Sequence, residues 1–103
     1  MLSSGVFADS NLSGSEIKAE IEGKAFPGVS SNQRYFTKTF NSDGTYKIEF
    51  ESGSVREGTW EVKEGKYCQS FNDDEECFVL MLKDDKIMVF QRDGSLHSTL
   101  NTE

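Results

Sequence analysis

Two hydrophobic rhythms divide the chain. Ile17 and Ile21 lie four apart, the spacing of one helix face, whereas from Lys24 onward apolar and polar residues alternate with period two. The helical stretch carries its own start and stop signals. Ser13 can cap, Glu16 stands three residues on as its capping-box partner, Leu12 can staple onto the first turn, and Gly23 ends it. These signals predict a short amphipathic helix over 13–22. About two turns long, it must dock on something to persist.

The period-two stretches predict strands at 34–40, 45–51, 55–63, 66–71, 77–83, 86–92 and 95–100. A weaker eighth lies around Ala25-Phe26 and is limited by Pro27. The connectors are tight-turn sequences such as Ser42-Asp43-Gly44, Glu64-Gly65, Asn72-Asp73 and Asp93-Gly94. Connectors this short pair each strand antiparallel with the next. The expectation is an all-β, antiparallel up-and-down meander of about eight strands, closing into a small barrel. A sandwich or half-open sheet is the rival, and the helix is expected outside the barrel.

Turn lengths set register, and register sorts side chains by face. Two-residue turns at Glu64-Gly65, Asn72-Asp73 and Asp84-Asp85 agree on one face holding Trp60, Val62, Tyr67, Phe78, Leu80, Leu82, Ile87 and Val89. A two-residue turn at Asp93-Gly94 adds Leu96 and Leu100. Three-residue turns ending at Gly44 and Ser54 add Phe36, Phe40, Tyr46, Ile48 and Phe50. The same register sets Cys68 opposite Cys77 on the other face, where geometry permits a bridge. In an oxidising compartment a disulfide is expected, with two free thiols as the alternative. No second cysteine pair or histidine cluster completes a metal site.

Composition narrows the partners. The 18 acids against 11 Lys and Arg give a formal net charge of -7, which argues against nucleic acid as a general partner. No apolar run is long enough for a transmembrane helix. The one domain is expected to span 12–103 behind a leader, 1–11. Leu2 to Ala8 followed by Asp9 resembles the tail of a secretory signal whose positive and long apolar regions are missing.

The ordered series Leu12-Ser13-x-x-Glu16-Ile17, Gly23-Lys24-x-Phe26, Tyr35-Phe36, Asp43-Gly44-Thr45, Gly58-Thr59-Trp60-x-Val62, Tyr67-Cys68 and Cys77 resembles a group of small secreted alphaproteobacterial proteins. Their shared pattern is a leading helix, a D-G-T turn, a G-x-W strand and two cysteines. The resemblance spans Leu12 to Val89 and implies a periplasmic or secreted location, without supplying catalytic residues. At fold level the chain is similar to calycin-type barrels, the lipocalin-like and streptavidin-like domains; fold alone assigns no function.

No enzyme signature stands out, and no cofactor or metal is expected. The single histidine, His97, is set opposite Phe90, away from the core. Asp73-Asp74-Glu75-Glu76 lacks the ligand spacing of a calcium loop and reads as a solvated hairpin tip. More informative are polar residues of inward parity: Lys38, Arg56, Gln69, Gln91 and Ser98. Enclosed polar groups need partners, so a ligand at one barrel mouth competes with heads that simply reach water. The leading expectation is a non-catalytic secreted or envelope binding module for a small polar or anionic ligand. Lys38, Arg56, Trp60, Gln69 and Gln91 are the candidate lining. The alternative is a protein-interaction or inhibitor-like domain using the exterior apolar face of Val79, Met81, Met88 and Phe90. The helix is expected to cover that face, with Ile17 or Ile21 against it; a helix docked elsewhere would leave it for a partner. The chain is expected to be a monomer or weak dimer.

Overall fold

The computed structural model describes residues 11–102; the leader sequence 1–10, with its signal-like stretch, lies outside the described residues. Helix α1 spans Gly14–Ile21. Eight strands follow: β1 (Lys24–Ser30), β2 (Tyr35–Phe40), β3 (Thr45–Phe50), β4 (Val55–Lys63), β5 (Lys66–Phe71), β6 (Asp74–Lys83), β7 (Lys86–Phe90) and β8 (Leu96–Asn101). Every strand pairs antiparallel with its neighbour in sequence, and β8 returns to β1, so the sheet is a closed barrel. Closure removes both sheet edges.

The local signals act as expected. Ser13 Oγ accepts from the Glu16 N–H, and Glu16 Oε1 accepts from the Ser13 N–H at 2.8 Å, closing the capping box. Glu64, Gly65, Asn72 and Asp73 all take positive φ, the twist that two-residue hairpins require. Those turns pair Val62 with Tyr67, Trp60 with Gln69, Tyr67 with Phe78 and Cys68 with Cys77. Pro27 is accommodated because β8 reaches β1 only from Gly28 on, leaving Pro27 paired on the β2 side alone.

Two turns differ from expectation. Phe50 pairs with Ser54, so the β3–β4 turn ends at Gly53 and the pairing slips by two residues. A slip of two preserves the face, so Phe36, Tyr46, Ile48 and Phe50 still point inward. Between β7 and β8, Gln91 pairs with Ser95 across a three-residue turn, which sets Phe90 opposite Leu96. A bulge after Val89 then restores Val89 to Ser98 and Ile87 to Leu100. Leu96 therefore shares the face of Phe90 rather than that of the core, and His97 is the extra residue of the bulge.

The core holds Phe26, Phe40, Tyr46, Ile48, Trp60, Tyr67, Phe78, Leu80, Ile87, Val89 and Leu100. Ile17 and Ile21 join it, both 0% exposed. The helix thus plugs one barrel end, packed on β4, β5 and β1, instead of lying over Val79, Met81, Met88 and Phe90. Geometry explains the choice. An open barrel end presents a ring of apolar side chains that two isoleucines can seal, and Gly14 lies beside Val62 and Gly65 there. The Gly23 N–H then donates to the Phe40 carbonyl at 2.7 Å, tying the helix exit to the same end. Before the helix, the Leu12 N–H donates to the Leu80 carbonyl at 2.8 Å, where β6 outruns β5. Gly58 is required for packing: a Cβ there would lie 2.3 Å from the Ser70 carbonyl oxygen and 2.7 Å from the Tyr46 ring.

Candidate functional site: a cationic mouth and a buried lysine

The end opposite the helix stays open. A cavity of about 260 Å³ begins at the β1–β2 loop, with Ser30, Asn32 and Arg34, and runs inward to Phe40, Tyr67, Leu80 and Leu100. Along β2 the inward positions run Phe36, Lys38, Phe40 from mouth toward plug, so Lys38 sits halfway down the wall. It is 8% exposed.

Burying an ammonium is costly unless something replaces its water. Here the replacement is partial. Lys38 Nζ donates to Gln69 Oε1 at 2.5 Å, and Tyr67 Oη donates to the same oxygen at 2.8 Å. The rings of Tyr46, Tyr67 and Phe40 lie 4.8, 5.0 and 5.1 Å from Nζ, near enough for cation–π attraction. No ion pair among the described residues includes Lys38. Burial, aided by the positive charge of Arg56, outweighs these contacts and lowers the Lys38 pKa to about 7. Burial raises the Tyr67 phenol well above its ordinary value, so it remains a donor. Tyr46 Oη is buried without a hydrogen-bond partner among the described residues.

The rim adds charge. The Arg34 guanidinium lies 4.5 Å from the Phe50 ring centroid; that of Arg56 lies 4.7 Å from Phe71 and 5.9 Å from Phe50. Neither arginine is in an ion pair among the described residues. His97 lines the mouth with its ring 4.8 Å from Phe78. Its pKa is lowered, first by burial and then by Lys38, with Glu76 opposing. Among the described residues Glu76 is the one carboxylate of the wall, set against Arg34, Arg56 and Lys38. A protein with net charge -7 has a barrel mouth biased toward cations.

Of the polar residues singled out from sequence, Lys38, Arg56, Gln69 and Ser98 meet in this cavity. Trp60 and Gln91 do not line it. Trp60 belongs to the plugged end, 7% exposed, with Nε1 donating to the Asn41 carbonyl at 3.0 Å. Gln91 is held in the β7–β8 turn, where Oε1 accepts from Ser95 Oγ at 3.0 Å. Arg34 was missed, although it shares the parity of Phe36 and Lys38, while Tyr67 was legible as an inward residue. His97 was not, because parity placed it outside and the bulge turns it in. Val79, Met81, Met88 and Phe90 share the exterior face as expected, each half-buried.

Cys68 and Cys77 form a disulfide across the β5–β6 hairpin, and both cysteines of the chain are used in it. Glu75 lies close to both sulfurs, but sulfurs bonded to each other are not free to bind a metal ion. No helix among the described residues is long and apolar enough to cross a membrane. Comparison of the chain with protein-family models, curated proteins and solved structures finds no match.

Proposed function

We propose that the protein is a non-catalytic binding module of the periplasm or the secreted space, whose barrel mouth holds a small amphiphilic anion. One observation carries the reading. Lys38 is buried in the wall of a cavity that opens to solvent, and among the described residues no carboxylate, Glu76 of the same wall included, forms an ion pair with it. A ligand carboxylate would supply the missing counter-charge, Arg34 and Arg56 would draw it in, and Phe36, Phe50 and Phe78 would take its apolar body. The disulfide fits an oxidising compartment, in keeping with the resemblance to small secreted proteins and to calycin-type barrels.

The test is a heteronuclear NMR titration of the full chain with benzoate and with benzyl alcohol, its neutral analogue. Benzoate should shift the Lys38, Gln69 and His97 resonances and bind at least ~10-fold more tightly than the alcohol, a difference of about 1.4 kcal/mol. Its affinity should weaken as pH rises from 6 to 8, because Lys38 loses its charge near 7. Equal affinity for the alcohol, or shifts outside the mouth, would overturn the reading.

A second reading draws on the helix. Because α1 seals the barrel end, it leaves the face of Val79, Met81, Met88 and Phe90 to other contacts, as an interaction domain requires. Their half-burial makes this the weaker of the two.

A further inference from the structure

We propose that Lys38 is a carbonyl-capturing residue, its amine condensing reversibly with a small aldehyde that carries an anionic group. This rests on the reading of the mouth as an anion site, with the anionic group of an aldehyde ligand held by Arg34 and Arg56 in place of Lys38, and adds a covalent step to it.

The placement of the amine carries the inference. Lys38 is buried in the cavity wall, whereas Arg34 and Arg56, which line the same cavity, are exposed to solvent. A ligand anion at the rim would therefore direct its other end inward toward Nζ. The single hydrogen-bond partner of Nζ among the described residues is the neutral Gln69 Oε1, which also receives Tyr67 Oη. That oxygen can orient an amine without fixing it as an ammonium, as a carboxylate would. Every other lysine is exposed or half-exposed. The pKa near 7 supports the same conclusion. About half of Lys38 is free base at pH 7, against roughly one part in a thousand for an ordinary lysine.

The chemistry balances without a further reactant. The nitrogen lone pair attacks the carbonyl carbon, the C–N bond forms, and the carbonyl π pair moves to oxygen. One amine proton passes to that oxygen, giving a carbinolamine. Loss of the hydroxyl with the second amine proton then releases one water and leaves the imine. Oxidation states are unchanged overall, and an apolar wall that limits water favours the condensed form.

The full-length chain at pH 7 would be incubated with 4-formylbenzoate and cyanoborohydride, which reduces the imine to a stable amine, and the adduct located by peptide mapping. Capture at Lys38 should exceed that at any other lysine by ~10-fold or more, given the difference in free-base fraction. Excess benzoate should suppress it. The Lys38→Met variant should lose the dominant site, and the wild-type map decides the matter even if that variant folds poorly. Labelling spread evenly over surface lysines, while benzoate still binds at the mouth, would overturn the capture and leave the anion reading standing. Equal capture of benzaldehyde and 4-formylbenzoate at Lys38 would support the capture but overturn the anionic preference. Absence of both benzoate binding and capture would overturn both.

Discussion

The two ends of this barrel are built from the same strands but solve opposite problems. At one end Ile17 and Ile21 seal the interior, and Trp60, Phe40 and Tyr67 meet edge-on or tilted, with centroids about 6 Å apart. The lone indole donor there is satisfied by the Asn41 carbonyl. At the other end the walls carry Lys38, Arg34, Arg56 and His97, and a cavity remains. The plugged end gains stability by excluding water from apolar surface. The open end holds a charge that would be better solvated in the unfolded chain. Stability thus comes from one end and the capacity for chemistry from the other, and a substitution should reveal which end it touches.

The largest effect should come from the plug. Ile21→Asp places an unpaired carboxylate at a position that is 0% exposed. It should cost about 4–5 kcal/mol, a large share of a small domain's stability, read as a lower urea midpoint. A variant within 1 kcal/mol of the wild type would mean that the helix does not close that end.

Lys38 should give the next effect, with the opposite sign. Its folded pKa of about 7 lies below the unfolded value of 10.5, so between these values the unfolded chain binds more protons. Stability should therefore rise with pH, by about 3 kcal/mol from pH 7 to pH 9.5, before tyrosine ionisation intervenes. Below pH 7 both states are protonated and this contribution is flat. Lys38→Met should abolish the slope and raise stability at pH 7 by about 1–4 kcal/mol, as replacing buried charge often does. Urea unfolding at a series of pH values measures both. A wild-type slope of zero would show that Lys38 is solvated in the folded protein.

Arg56→Gln should be the smallest in stability and the most specific in binding. Its side chain is exposed and in no ion pair among the described residues, so unfolding should move by less than about 0.5 kcal/mol. Benzoate affinity should nevertheless fall several-fold, and the Lys38 pKa should rise, since Arg56 is one cause of its lowering. Unchanged affinity would detach the rim from the site.

The chain itself encoded most of the frame. Short turns at 64–65, 72–73 and 84–85 leave neighbouring strands one antiparallel register each, and period-two alternation then sorts Phe78, Leu80, Ile87 and Val89 inward. The cysteine pairing follows from the same arithmetic, as does the inward parity of Lys38, Arg56 and Gln69. These are local consequences of turn length and pleat.

What needed the closed barrel were choices between surfaces of similar local appeal. The two isoleucines could have met either the outer face of the β6–β7 hairpin or the barrel end. Only closure creates an end in which both isoleucines join the barrel core at 0% exposure, and that burial of apolar surface favours the dock. His97 turned inward because a three-residue turn and a bulge offset each other, keeping Val89 opposite Ser98 while inserting one residue between. Trp60 and Gln91 have the same inward parity as Lys38, yet parity fixes a face and not a depth. Depth is set by which barrel end each strand position reaches, and that is a property of the whole sheet.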